Sequence, residues 1–167
     1  KLEINFSKLI EGNSVDRYEA EIYVLYKKLK QSLLERPQDL KGFKLLVTTS
    51  ISLKEYRPAR IAQEKVIQLR NPNINVEEYI LYLDLAFLAA GGRVSLEASK
   101  MLKNAEVSYP RNEVLIFFKA LEHFEKREYQ KAVKLFYLLQ KNDKIDRDKL
   151  ELLKQKLSQL KIIPWDY

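Results

Sequence analysis

A chain of 167 residues with 46% hydrophobic content is long enough to enclose a contiguous core, and it contains no apolar run long enough for a membrane span and nothing resembling a secretory leader. Zero cysteines exclude disulfides, thiol catalysis and thiolate metal sites, while leaving the redox compartment open. The 30 basic and 23 acidic side chains give a formal charge of +7, but they are interleaved, as in Lys126-Arg127-Glu128 and Asp146-Arg147-Asp148-Lys149. That pattern coats solvated helix faces rather than building the basic stripe of a nucleic-acid binder, so no nucleic-acid partner is expected.

Residues 1–14 carry Leu2, Ile4, Phe6, Leu9 and Ile10, apolar enough to dock on a domain, before Gly12-Asn13-Ser14 breaks any helix. The chain starts at Lys1 without methionine, as expected of a fragment from which a targeting segment has been removed. A helix is predicted from Ser14, its N-cap, to Arg36, with Ile22, Leu25, Leu29 and Leu33 at three- and four-residue steps; Pro37-Gln38-Asp39 ends it. Three helix pairs follow. The first joins 40–53 to 56–70, with Pro58 in a first turn where its missing N–H costs little. The second joins 76–90 to 95–107 across Gly91-Gly92-Arg93, whose glycines supply positive backbone dihedrals, with Ser95 as N-cap. The third joins 112–126 to 129–141. A last amphipathic helix, Asp146 to Leu160, carries Leu150, Leu153, Leu157 and Leu160, and residues 162–167 form a tail with the only tryptophan, Trp165.

The three pairs share a frame. Ala59, Ala98 and Ala132 occupy one position in each; three residues earlier stand Tyr56, Ser95 and Tyr129, and sixteen earlier Phe43, Tyr82 and Ile116. Compact residues recur twelve before the alanine, at Val47, Ala86 and Ala120, and seven after it, at Val66, Ala105 and Leu139. Small residues at these points let two helices approach closely, which is the demand of a tetratricopeptide (TPR) helical hairpin of about 34 residues. From Ala98 to Ala132 is 34 residues and from Ala59 to Ala98 is 39, the surplus falling in the turn-rich stretch Arg70–Asn75. The expected fold is all-α: a single TPR superhelix over 15–161, of three repeats between flanking N- and C-terminal helices, the last of which covers the exposed end of the core.

No catalytic constellation is present. The lone His123 falls where the other repeats place Ser50 and Ala89, a packing position between helices, and no HExxH or similar spacing offers a metal site. Glu77-Glu78 suit a helix start, and the Gly91-Gly92 pair lacks both the preceding strand and the Lys-Ser/Thr of a phosphate loop. The chain is therefore read as a non-enzyme, without metal or cofactor.

If the first helices of the repeats line a concave face, the groove takes Lys44 and Thr48, with Leu45 and Ile51, from repeat one. Leu83, Asp84 and Phe87 come from repeat two, and Phe117, Phe118, Leu121 and Phe124 from repeat three. With one lysine and no asparagine, this set does not build the clamp with which some TPR domains hold a terminal carboxylate. Its apolar character suits the hydrophobic face of an amphipathic peptide helix. Adjacent Phe117 and Phe118 cannot both face inward on one helix, so at least one is expected near a surface or groove.

Two segments go beyond the general frame. Leu33-Leu34-Glu35-Arg36-Pro37-Gln38-Asp39-Leu40-Lys41-Gly42-Phe43-Lys44-Leu45-Leu46 resembles the Pro-x-Asp-x-x-Gly-Trp-x-x-Leu entry of the CcmI (CycH) family of cytochrome c maturation TPR proteins, with Phe43 where that family commonly has Trp. Ala89-Ala90-Gly91-Gly92-Arg93-Val94-Ser95-Leu96-Glu97-Ala98 resembles its Gly-Gly-Arg-x-Ser/Thr-x-Glu-Ala turn. The resemblance implies a periplasmic chaperone that holds the C-terminal amphipathic helix of apocytochrome c, delivers it to the haem-ligation machinery, and is tethered to the inner membrane by a segment absent from this chain. A general TPR scaffold for another assembly machine, including nitrite reductase maturation, is the alternative.

Overall fold

A computed structural model describes residues 14–160, which form eight α-helices and no strand. The expectations for residues 1–13 and 161–167, including the packing of Trp165, lie outside the described residues. The helices are α1 (Ser14–Glu35), α2 (Leu40–Ser52), α3 (Tyr56–Arg70), α4 (Val76–Ala89), α5 (Leu96–Ser108), α6 (Glu113–Glu125), α7 (Tyr129–Gln140) and α8 (Arg147–Gln159). They belong to two compact units that divide between Pro72 and Asn73, within the span 15–161 expected as one domain. The division falls in the surplus stretch after α3, where Pro72 has no N–H with which to continue a helix.

The first unit contains α1–α3. Tyr26, Leu29 and Leu33 form the buried stripe of α1, which packs on α2. A side chain on Gly42 would meet Leu33 Cδ2 and Asp39 Oδ2 at 2.7 Å, so glycine permits the close approach of α1 to the start of α2. Asp39 caps that start by accepting the Gly42 N–H at 2.8 Å. The α2–α3 hairpin closes over Val47, Ala59, Ala62 and Val66, all buried.

The second unit contains α4–α8. Each helix entry except that of α7 has a capping side chain: Asn75 with Glu78 in a reciprocal capping box, then Ser95, Asn112 and Asp146. Glu128 precedes α7 without capping it through its side chain. Hairpins α4–α5 and α6–α7 pack pairwise, and α6 lies among α4, α5, α7 and α8. The frame alanines Ala59, Ala86, Ala98, Ala105, Ala120 and Ala132 are all buried, with at most 1% exposure, where helices meet.

The turns within the hairpins are not equivalent. In the first and third, Lys54 (φ 57°) and Arg127 (φ 60°) reverse the chain in the left-handed region, at a cost of about 1–2 kcal/mol each for a side-chain-bearing residue. Glu55 N–H then donates to Ser50 O at 2.9 Å and Glu128 N–H to His123 O at 2.8 Å, both acceptors lying nine residues before the frame alanine. In the second hairpin Gly91 takes that conformation (φ 64°), and Gly92 N–H donates to Phe87 O at 2.9 Å, eleven residues before Ala98. Helix α4 thus stops two residues earlier in the frame. Ser95 caps α5, whereas its counterparts Tyr56 and Tyr129 are already helical.

Candidate helix-binding face

The residues expected along the groove fall in both units. Lys44 and Thr48 lie on the exposed side of α2 in the first unit, and the Thr48 hydroxyl donates to Leu45 O at 3.0 Å on its own helix. The remainder belong to the second unit. There Leu83, Phe117, Phe118 and Leu121 are core residues with no more than 2% exposure, while Asp84, Phe87 and Phe124 are half-buried. The expectation that Phe117 or Phe118 lies near a surface is corrected. The rings meet at 5.2 Å with an interplanar angle of 70°, and both are covered because α6 is surrounded by four helices instead of being buried on one side.

What covers the face is α8. Leu153 and Leu157 are fully buried on the side of α8 that packs against α6 and α7. Lys149 and Lys156, seven residues apart and therefore two turns along the same helix flank, point to the same neighbours. Lys149 Nζ lies 2.7 Å from Asp84 Oδ1 on α4 and 5.7 and 5.8 Å from the Phe117 and Phe118 ring centroids on α6. Lys156 Nζ lies 5.8 Å from the Phe124 ring centroid and donates to Gly92 O at 3.4 Å. The two lysines thus meet four of the residues assigned to the groove, Asp84, Phe117, Phe118 and Phe124. From start to end, α8 passes from the middle of α4 to the turn beyond it, running in the same sense as α4 and α6. Phe87 joins the face edge-on to Phe118 at 6.2 Å.

The electrostatics are of two kinds. On the α8 side, one carboxylate and three aromatic rings present negative potential to cations, and each lysine meets both an oxygen and a ring. On the α5 side, buried Glu122 accepts from Lys126 at 2.8 Å and pairs with Lys119 at 3.3 Å, while Lys119 reaches Glu106 on α5 at 3.2 Å. Burial alone would raise the Glu122 carboxyl above its ordinary range, but hydrogen bonds from Lys126 and Ser99 and the charge of Lys119 together hold it below. Burial likewise disfavours the Lys119 ammonium, and its two carboxylate partners outweigh that and raise its pKa. This network ties α5 to α6.

His123, expected at a packing position between helices, is half-buried near the end of α6 and hydrogen-bonded through Nδ1 to Glu128 at the α6–α7 turn. Lys131 and His123 hold the Glu128 carboxyl down at about 2. That arrangement closes the α6–α7 turn. Among the described residues, no group of three or more His, Cys, Asp or Glu could hold a metal ion, and no helix is long and apolar enough to cross a membrane.

The lysines of α8 were not singled out by the sequence, where they read as part of a solvated surface. Their spacing carried the signal: Lys149, Leu153, Lys156 and Leu157 follow i, i+4, i+7, i+8, one helical flank. The chain matches no protein-family model, and no curated protein is similar to it at a significant level.

Proposed function

We propose that this chain is a TPR-type interaction module that holds an amphipathic helix on the α4–α6 face of its second unit. The observation that carries this reading is the seating of α8, an amphipathic helix with buried leucines and paired lysines, on the residues assigned to a helix-binding groove. The client we propose is the C-terminal helix of apocytochrome c, held in the periplasm by a chaperone tethered to the inner membrane and passed to haem-ligation components. The segments 33–46 and 89–98 support that client through their resemblance to the CcmI family. The role is one of binding and delivery, not catalysis.

Anisotropy titration of a labelled apocytochrome c C-terminal peptide tests it. Saturable binding is expected, weakened about tenfold by Phe87→Ala, the magnitude of truncating one half-buried aromatic anchor. Absence of saturable binding would remove the cytochrome client. Equal binding of unrelated amphipathic helices would assign the chain to the general scaffold class instead.

A further inference from the structure

We infer that α8 is an internal stand-in for the partner, and that the α4–α6 face accepts, in exchange for α8, an external helix of the same chemistry. That helix is basic and amphipathic, with leucines four residues apart and lysines seven residues apart that reach Asp84 and the Gly92 carbonyl. This rests on the reading of the face as a helix-binding surface and adds to it the partner's charge and the mode of entry.

Three observations carry it. The seat is keyed as well as greasy: Asp84 and the Phe117, Phe118 and Phe124 rings all favour a cation, so a helix with glutamate in place of Lys149 would set like charges together beside two negative ring faces. The helix has one free side: Arg147, Asp148, Glu151, Lys154 and Gln155 make its outer face exposed, and the linker of residues 141–146 connects it to α7. The polar groups of the neighbouring helices are satisfied without it: Asn75 and Asn112 cap α4 and α6, the Phe87 carbonyl accepts within its own turn, and Glu122 is held by Lys126 and Lys119.

A tethered occupant lowers the apparent affinity of an external one by the fraction of molecules in which the face is vacant. Weakening α8 in the protein must therefore strengthen binding of a peptide that retains its own lysine. The probe is a labelled peptide of residues 145–160 titrated into the full chain. Lys149→Ala in the protein is expected to tighten peptide binding about tenfold, by enlarging the vacant fraction. The same peptide carrying Lys149→Glu is expected to bind the Lys149→Ala protein at least about tenfold more weakly, a comparison that leaves the protein unaltered.

In an Asp84→Lys protein the preference inverts, the glutamate peptide binding better than the lysine peptide. Because the chain has no cysteine, Asp84→Cys with Lys149→Cys gives a single site pair for a short bis-maleimide, and closing that link is expected to abolish binding of the peptide. Equal peptide affinity in wild-type and Lys149→Ala proteins, or in linked and unlinked protein, overturns the exchange. An unchanged order of the two peptides on Asp84→Lys overturns the charge key. If the apocytochrome peptide binds linked and unlinked protein alike while the α8 peptide binds neither, the exchange falls and helix binding stands at another surface. If no peptide binds any variant, both fall.

Discussion

Phe118→Ala is expected to lower the unfolding free energy of the second unit by about 3–5 kcal/mol, read as a fall in the urea midpoint at unchanged slope. The ring is 1% exposed and lies edge-on to Phe87 at 6.2 Å and to Phe117 at 5.2 Å. Removing it deletes the transfer free energy of an aromatic side chain and opens a cavity that surrounding α6 packing against four helices cannot readily collapse. A side chain lining an open groove, uncovered by α8, would behave otherwise: its loss would spare stability and reduce only ligand affinity. A stability change under about 1 kcal/mol would therefore return Phe118 to an open surface.

The second large effect comes from enlarging a frame alanine. Ala132→Leu is expected to cost about 2–3 kcal/mol, since Ala132 is completely buried where α7 packs against α6, and the added carbons must displace helix backbone or force neighbouring side chains off their rotamers. The matched control, Lys131→Leu one residue earlier, places the same side chain on an exposed position and is expected to change stability by no more than about 0.5 kcal/mol apart from the loss of its ion pair with Glu128. Thermal unfolding of the two variants side by side reads the difference. Similar midpoints would mean that the alanine frame does not mark helix contacts.

The helices were legible because their signals are local. Ser95 as the cap of α5, Pro37 and Gly91-Gly92 as helix-ending residues, and compact residues at the frame positions act within a few residues of where they stand. The early end of α4 in the frame was less so, because Ala89 and Ala90 are good helix formers and only the glycines after them oppose continuation. Residues 70–75 read as a long loop, yet a loop's length does not reveal that it separates two units.

The candidate site was legible in its parts but not in its state. Asp84, Phe87, Phe117 and Phe124 follow from helical spacing. The contact of Asp84, Phe117 and Phe124 with α8 depends on a tertiary choice made between residues far apart in the chain, such as Asp84 and Lys149. The rule that adjacent aromatics cannot both be buried holds for a helix with one covered face and fails for α6, which has neighbours on every side that matters.

Hydrogen–deuterium exchange of the full chain, alone and with a saturating amphipathic client peptide, shows whether α8 gives up its place to an external helix. The peptide is expected to accelerate exchange in α8, residues 147–159, while the amides of α4 and α6 keep or gain protection as the external helix takes its place. Bound peptide with α8 as protected as before would contradict it, because the face between α4 and α6 would then never have been vacated.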